Sequence, residues 1–387
     1  MRELNQRAVL DRLRDFGAAT RPQIAKDTGL SKPTVGQALL DLEQVKLVHT
    51  VGRSFAGQGR SAVVYEANPA AGHVLGIDIG GERIRVAVAD LAGSVVVKLD
   101  ERHRARSASA LVRSVRTFAD RALEAANLRM DEVVTTVVGT SGVPDQRAKT
   151  LHRAPNLPGW ERKGLLGELE AVLGGDVVVE NDANLSAVGE HRAGAAKGVD
   201  VFVCVMVGTG IGMGTIVNGS LFRGAHGAAG EIAYLPYGWP TRGLPKAGSP
   251  PRQGMLEAAA AARSVVEIAV ANGLTEVRTA KDVFALAHDG DSRALKAVEE
   301  EAARLAFVIA AVAAVIDPAL VVIGGGIGST NTDLLQPPLE KALNRTIPTV
   351  PPIVTGELGE AAVLTGAIAT ALDTARDLVF ERRGQVG

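Results

Sequence analysis

Two segments of this 387-residue chain repeat one design: GIDIGGERIRVAVAD (residues 76–90) and VMVGTGIGMGTIVNG (residues 205–219) each set a glycine turn between two hydrophobic strand patterns. A third cluster, VVIGGGIG (residues 321–328), follows a long apolar helix pattern. Glycines at strand ends let backbone N–H groups approach a phosphate closely, and a single such loop is weak evidence because a tight hairpin explains it equally well. Three in this order, among strands that alternate with helices, call for an α/β layered fold with two similar lobes facing across a ligand cleft. The phosphate-loop candidates are Asp78, Gly80 and Gly81, then Gly208, Thr209 and Gly210, then Gly324, Gly325 and Gly326.

Composition supports a packed chain. With 46% hydrophobic and 22% charged residues, the length suits two or three domains and excludes disorder or a fibre. The lone Cys204, inside the apolar run VFVCVMV, rules out a disulfide framework or thiolate cluster and points to the cytoplasm. MRELNQRAVLDRLRDF carries charge throughout and lacks the apolar core of a secretory signal. LAFVIAAVAAVI (residues 305–316) falls short of the ~20 residues that cross a bilayer, so it is expected to be a buried helix, with no membrane partner.

The net charge of −1 hides a basic front: residues 1–66 hold 10 Lys and Arg against 7 Asp and Glu. Leu4, Val9, Leu10, Leu13 and Phe16 recur at helical spacing up to Gly17. A second helix follows with Thr20 as its cap and Ile24, Ala25 and Leu30 inward, and a third begins at the N-cap Ser31 with Val35, Leu39 and Leu42 as its buried stripe. Three helices with a Thr28-Gly29 turn, then LVHTV and AVVYEA joined by GRSFAGQGRS, match a winged helix-turn-helix. In that arrangement Ser31, Lys32, Pro33, Thr34 and Gln37 face a major groove, and Arg53 and Arg60 of the wing neutralise phosphates or enter the minor groove. The alternative is a helical module for protein contacts with merely solvated wing arginines. Residues 1–66 are thus read as a double-stranded-DNA-binding domain and 67–73, containing NPAAG, as a linker. Residues 74–387 form the two-lobed remainder: lobe one about 74–185 plus a C-terminal helix about 361–380, and lobe two about 186–360.

VVVENDANLSAVGE (residues 177–190) runs from a strand into a helix and places Asp182 at the turn. Together with DIGG (78–81), APNLPGW (154–160), GTGIG (208–212), GAHGAAGEI (224–232), IGGG (323–326) and the leading winged helix, it resembles the ROK family of repressors, open reading frames and kinases, within the actin-like ATPase and sugar-kinase superfamily. The resemblance implies that Asp182 matches the base that takes a proton from a sugar hydroxyl in the kinases. It also implies that Asn156, Asn181, Glu231 and Glu257 contact sugar hydroxyls. Carboxylates and amides suit that task because each forms several hydrogen bonds to adjacent hydroxyls.

Two departures redirect this reading. Zinc-containing relatives carry a His where this chain has Tyr234, and three cysteines where it has Gly248, Pro250 and Met255, so no zinc and no other metal is expected. Tyr234 is the expected substitute sugar contact, with Trp239 as a further stacking face or a packed loop aromatic. Glu82 stands where the kinases' phosphate loop has Thr. Two like charges about 4 Å apart at an effective dielectric of ~20 repel by roughly 4 kcal/mol, which opposes ATP. The expected function is therefore a sugar-responsive transcriptional regulator, most simply a repressor, acting as a homodimer or homotetramer on operator DNA without a cofactor. An ATP- and Mg-dependent sugar kinase that carries a DNA-binding domain is the alternative, with Asp182 as its base. A regulator sensing a sugar phosphate or nucleotide is a third reading.

Overall fold

The computed structural model describes residues 1–54, 61–154, 157, 159–237 and 254–384. The chain opens with α1 (Arg2–Phe16), β1 (Ala19–Thr20), α2 (Arg21–Thr28), α3 (Lys32–Gln44), β2 (Val48–Ser54) and β3 (Ala62–Ala67). Gly17, at φ 74°, ends α1. Gln23 Oε1 accepts the Thr20 N–H at 2.9 Å and the Thr20 hydroxyl at 2.7 Å, which fixes the start of α2. Ser31 Oγ accepts the Thr34 N–H at 3.2 Å and so caps α3. Val35, Leu39 and Leu42 are buried as expected, whereas the two-residue β1, paired with β3, carries no signal in the sequence. Leu4 and Phe16 lie on α1 as their spacing predicts but are 67% and 75% exposed. Apolar residues at those spacings wrap more than one face, and only Val9, Leu10 and Leu13 reach the core. Phe16 lies instead beneath the Arg12 guanidinium, 5.4 Å from its ring centre. Arg60 lies outside the described residues.

NPAAG is stitched to both of its neighbours rather than free. Asn68 donates to Leu47 O and Lys46 O, both at 2.9 Å, and Pro69 O accepts the Leu91 N–H at 3.1 Å.

The first lobe runs β4 (His73–Ile79), β5 (Arg83–Asp90), β6 (Val95–Arg102), α4 (Ala108–Ala125), β7 (Val133–Thr140), β8 (Val143–Asp145), β9 (Thr150–His152), α5 (Leu165–Leu173) and β10 (Asp176–Asn181). After α6 (Asp182–Ala193) the second runs β11 (Phe202–Val207), β12 (Ile211–Val217), β13 (Ser220–Leu221), α7 (Met255–Ala260), α8 (Ala262–Ala271), α9 (Ala280–His288), α10 (Ser292–Ile316), β14 (Leu320–Gly324), α11 (Gly325–Gly328), α12 (Thr332–Thr346) and β15 (Ile353–Thr355). The chain closes with α13 (Ala362–Gly384). The sheets have the orders β10-β7-β4-β5-β6 and β13-β12-β11-β14-β15. In each, an antiparallel three-stranded meander is extended by two parallel strands. The repeated strand–glycine–strand motif therefore marks a repeated sheet.

Helices α4 and α5 cover one face of the first sheet and α8, α9, α10 and α12 one face of the second. Between the sheets, α13 lies on the first and α6 on the second. A Cβ at Gly214 of β12 would stand 2.4 Å from Ala183 O, so that glycine lets α6 sit directly on the strand. The expected lobe division at 185 falls inside α6, where Leu185 packs with α13 and Ala187 with β11 and β12. LAFVIAAVAAVI needs correction too: it is the last part of α10 and buries one face, leaving Phe307 42% and Val315 82% exposed.

The N-terminal module shares its apolar core with α13. Val9, Leu10 and Leu13 belong to one buried cluster with Leu91, Leu372, Ala375, Val379 and Phe380, and Arg7 pairs with Asp377.

Candidate ligand-binding cleft

Parallel pairing brings the first two acids to one sheet edge. Asp78 of β4 and Glu180 of β10 both register with Gly139 of the intervening β7, so Asp78 and Asp182 lie at the carboxyl ends of strands, where open α/β sheets take ligands. Asn181 Oδ1 accepts the Ala183 and Asn184 N–H groups at 2.9 and 3.2 Å, and its Nδ2 donates to Gly142 O at 3.2 Å. It is thus the N-cap of α6, with one amide hydrogen left to offer a ligand. Asp182, partly buried, accepts the Ser141 hydroxyl at 3.2 Å and its neighbour's N–H at 2.9 Å. Burial pushes its carboxyl above the ordinary range, against those two hydrogen bonds.

Asp78 is buried and ion-paired to Arg85 Nη1 at 3.0 Å. Burial, reinforced by the charges of Asp182 and Asp100, pushes it up to about 6 despite Arg85. Arg85 also meets Asp100 at 3.4 Å and Glu360, just before α13, at 2.6 Å. Glu180 has three donors: Arg223 Nε at 2.6 Å, Asn184 Nδ2 at 2.9 Å and the Asn181 N–H at 2.9 Å.

From the second lobe, Glu231 and Tyr234 enter beside a 3-10 turn (Ile232–Tyr234) and Glu257 from α7. Burial raises the Glu231 carboxyl; Arg153 lowers it, while Asp182 and Glu257 raise it further. The Tyr234 phenol is raised by burial and by Glu231, opposed by Arg153. Asp182, Glu231, Tyr234 and Glu257 are therefore brought together from three separate stretches of chain: α6, the 3-10 turn and α7. Asn156, Trp239, Gly248 and Pro250 lie outside the described residues.

The second and third glycine loops abut. A Cβ on Gly208 would come 3.7 Å from Gly326 N, and Gly325, at φ 82°, has Val207 O 2.4 Å from where its Cβ would stand. That position admits glycine alone. Gly80 and Gly81 need no left-handed backbone, and beside them Glu82 is exposed. The motifs missed Ser141, Arg85, Arg153 and Arg223. Arg85 alone had a local signal, a charge pointing to the same strand face as Ala87 and Ala89 on a buried β-strand.

Behind Gly208, whose carbonyl accepts the Ala262 N–H at 2.9 Å, the α7–α8 junction is braced by Ser264 and the fully buried Glu301 at 3.3 Å. Burial pushes Glu301 up to about 8, and its Oε1 has no partner among the described residues. A carboxyl raised on folding stabilises fully below its ordinary value of 4.5, and that contribution is lost as pH rises towards 8. Glu301→Gln should flatten the stability profile over that window and gain on the order of 3 kcal/mol over the wild type at pH 9, read by urea denaturation at pH 5 and 9.

Two like sheets joined by two crossing helices, with acids at the strand ends of one lobe and glycine loops at the strand ends of the other, define an actin-like, sugar-kinase-type fold. The ROK family profile matches residues 74–374, and the chain belongs to the ROK family. A glucokinase from Halalkalibacterium halodurans is 31% identical over 281 residues, covering 68% of this chain and 83% of the relative. A xylose repressor from Bacillus spizizenii is 29% identical over 245 residues, 61% of each chain. The solved structure of a ROK family transcriptional regulator, a homolog of the E. coli MLC protein, superposes with a TM-score of 0.79 at 20% identity, covering 100% of this chain and 99% of that one. At that identity the likeness speaks for the fold. No helix among the described residues is long and apolar enough to cross a membrane.

Proposed function

We propose that the protein is a sugar-responsive transcriptional regulator whose cleft binds a sugar through Asp182, Glu231, Tyr234 and Glu257, with Asn156 and the remaining amide hydrogen of Asn181. The N-terminal 66 residues act as a winged helix-turn-helix on operator DNA, and 74–387 as the effector-binding part. The observation that carries this reading is the shared core between the N-terminal module and α13, a helix that begins two residues after Glu360, the exposed ion-pair partner of Arg85 beside Asp78. A change at the cleft has a packed path to the DNA-binding surface. A homodimer or homotetramer would present two such surfaces to a two-fold operator.

Exposed residues at the start of α3 support the DNA reading: Lys32, Pro33 and Gln37 are exposed, as is Ser31, with Thr34 partly so. Arg53 of β2 is exposed and donates to Ser61 at 3.4 Å; Arg60 would serve the same wing. Lys32→Ala should weaken operator binding about equally for all sequences and reduce the salt slope by about 1, whereas Gln37→Ala should relax sequence preference by roughly 1–3 kcal/mol. Fluorescence anisotropy at several salt concentrations reads both. The decisive test of the function is operator binding by the purified protein titrated with individual sugars. Release or tightening by one of them supports it, and indifference to all of them sinks it.

Phosphoryl transfer fits the residues less well. The nucleotide and divalent cation of a kinase would meet an Asp78 already countered by Arg85 and an added charge at Glu82. A zinc site fits no better: Tyr234 offers a phenol whose ring lies under Arg153, and Met255 a thioether. We therefore assign neither a zinc nor a nucleotide cofactor. One observation favours the kinase reading, the raised carboxyl of Asp182 at a strand-to-helix turn in a chain 31% identical to a glucokinase. Sugar-dependent ADP formation that vanishes in Asp182→Asn would establish it.

A further inference from the structure

Arg153, which no motif singles out, follows β9 with φ 59°. For a non-glycine residue that backbone costs roughly 1 kcal/mol or more, and such outliers persist where the surroundings hold them. Its guanidinium lies 4.9 Å from the centre of the Tyr234 ring, and Nη1 stands 3.8 Å from Glu231 Oε2. Arg153 belongs to the first lobe, whereas Glu231 and Tyr234 belong to the second. The contact therefore spans the cleft at the residues assigned to the sugar.

We propose that Arg153 is a positioning and specificity-determining residue of the sugar pocket: placed over Tyr234, its guanidinium holds Glu231 as a hydrogen-bond acceptor for adjacent sugar hydroxyls. This inference rests on the sugar-binding reading above. Glu231 is faced by Asp182 from α6, Glu257 from α7, Tyr234 from its own turn and Arg153 from the opposite lobe, and Tyr234 is also acted on by Glu161. Two neighbouring carboxylates disfavour a third charge, and Arg153 opposes them. An ionised carboxylate accepts at both oxygens, whereas a protonated one spends an oxygen on donation and mismatches a pair of hydroxyl donors. The planar guanidinium suits this task better than an ammonium, because a guanidinium can lie over an aromatic ring and still offer N–H donors to a carboxylate beside it.

The test is calorimetry of the full chain with D-glucose, D-xylose and further free sugars between pH 5 and 8.5. In the wild type, affinity for the bound sugar should fall with pH as Glu231 protonates. In Arg153→Ala the fall should begin about one pH unit higher, so that affinity is about tenfold weaker at the acid end of the range, where Glu231 is protonated in both proteins, and the difference closes towards the alkaline end, as one pKa unit is tenfold in an equilibrium constant. Arg153→Lys should restore the midpoint without the full affinity. Arg153→Gly, which suits φ 59° without strain, should behave as the alanine variant does, which separates the side chain from backbone effects. Unchanged affinity and midpoint in both truncations, or equal weakening at every pH, overturns the role of Arg153 while leaving the sugar reading intact. A wild type that binds none of the sugars overturns the sugar reading and this inference with it.

Discussion

In Asp182→Ala, sugar at concentrations that just saturate the wild type should barely alter operator binding, while the protein stays folded and keeps its DNA affinity. Removing a hydrogen bond to a charged acceptor costs about 1.5–3 kcal/mol, so sugar affinity should fall roughly 10- to 150-fold. The fold should tolerate the change for two reasons. Asn181 caps α6 through the Ala183 and Asn184 N–H groups and does so without Asp182. Burial raises the carboxyl above its ordinary range, which means the folded state disfavours its charge, and alanine removes that cost. Calorimetry reads the sugar affinity, and anisotropy with labelled operator reads the DNA affinity and its response. Loss of DNA binding in a folded variant, or a sugar response of wild-type size, contradicts the assignment. Asp182→Asn refines the result: it retains a carbonyl acceptor for Ser141 but no charge, so a partial sugar response there attributes the remainder to the charge.

What the sequence disclosed and what it hid differ by range of interaction. Strand–glycine–strand repeats are local, and their hydrophobic pattern announced the two glycine-turn strand pairs and the likeness of the two lobes, but not the third strand of each meander. Asp78 and Asp182 stand out in short motifs at strand ends, whereas Glu231, at a 3-10 turn, and Glu257, on α7, entered only through the family resemblance. Asn181 was legible in a second way, since an asparagine directly before a helix pattern is a preferred cap; that duty now limits what it offers a ligand. Arg153 and Arg223 were hidden because their partners, Glu231 and Glu180, are distant in sequence and lie in the opposite lobe or close to it. The apolar run overstated burial in α10: an apolar residue reaches the core only if another element covers that face, and nothing local says which faces are covered. Glycines within elements were the underused signal. An isolated glycine inside a helix pattern costs about 1 kcal/mol against alanine, so its presence points to another backbone close by.

Gly366 of α13 is where that signal carries the largest consequence for stability. A Cβ there would stand 1.9 Å from Leu185 O, 2.7 Å from Leu185 C and 3.0 Å from Gly189 N, and a Cβ at Gly189 would meet Ala362 O at 2.4 Å. These obstacles are backbone atoms of a packed helix, so no side-chain rotation relieves them. Gly366→Ala must move α6 and α13 apart, and overpacking of this kind costs about 3 kcal/mol or more, well beyond the ~1 kcal/mol that alanine gains in a helix. Against a typical total of about 5–15 kcal/mol, a large share of the stability is lost. Gly167→Ala in α5 is the matched control: nothing lies within 4 Å of its Cβ position, so the helix gain should appear there unopposed. Urea denaturation of the two variants should therefore move in opposite directions, and a Gly366→Ala midpoint equal to the wild type's would mean that the crossing can open without cost. The functional corollary follows from what each helix carries. Asp182 stands on the first turn of α6, and α13 ends among Arg7, Leu10 and Leu13 of the N-terminal module. A folded Gly366→Ala protein held at low temperature should accordingly bind operator with altered affinity even without sugar, because the displacement forced at the crossing is delivered to both ends.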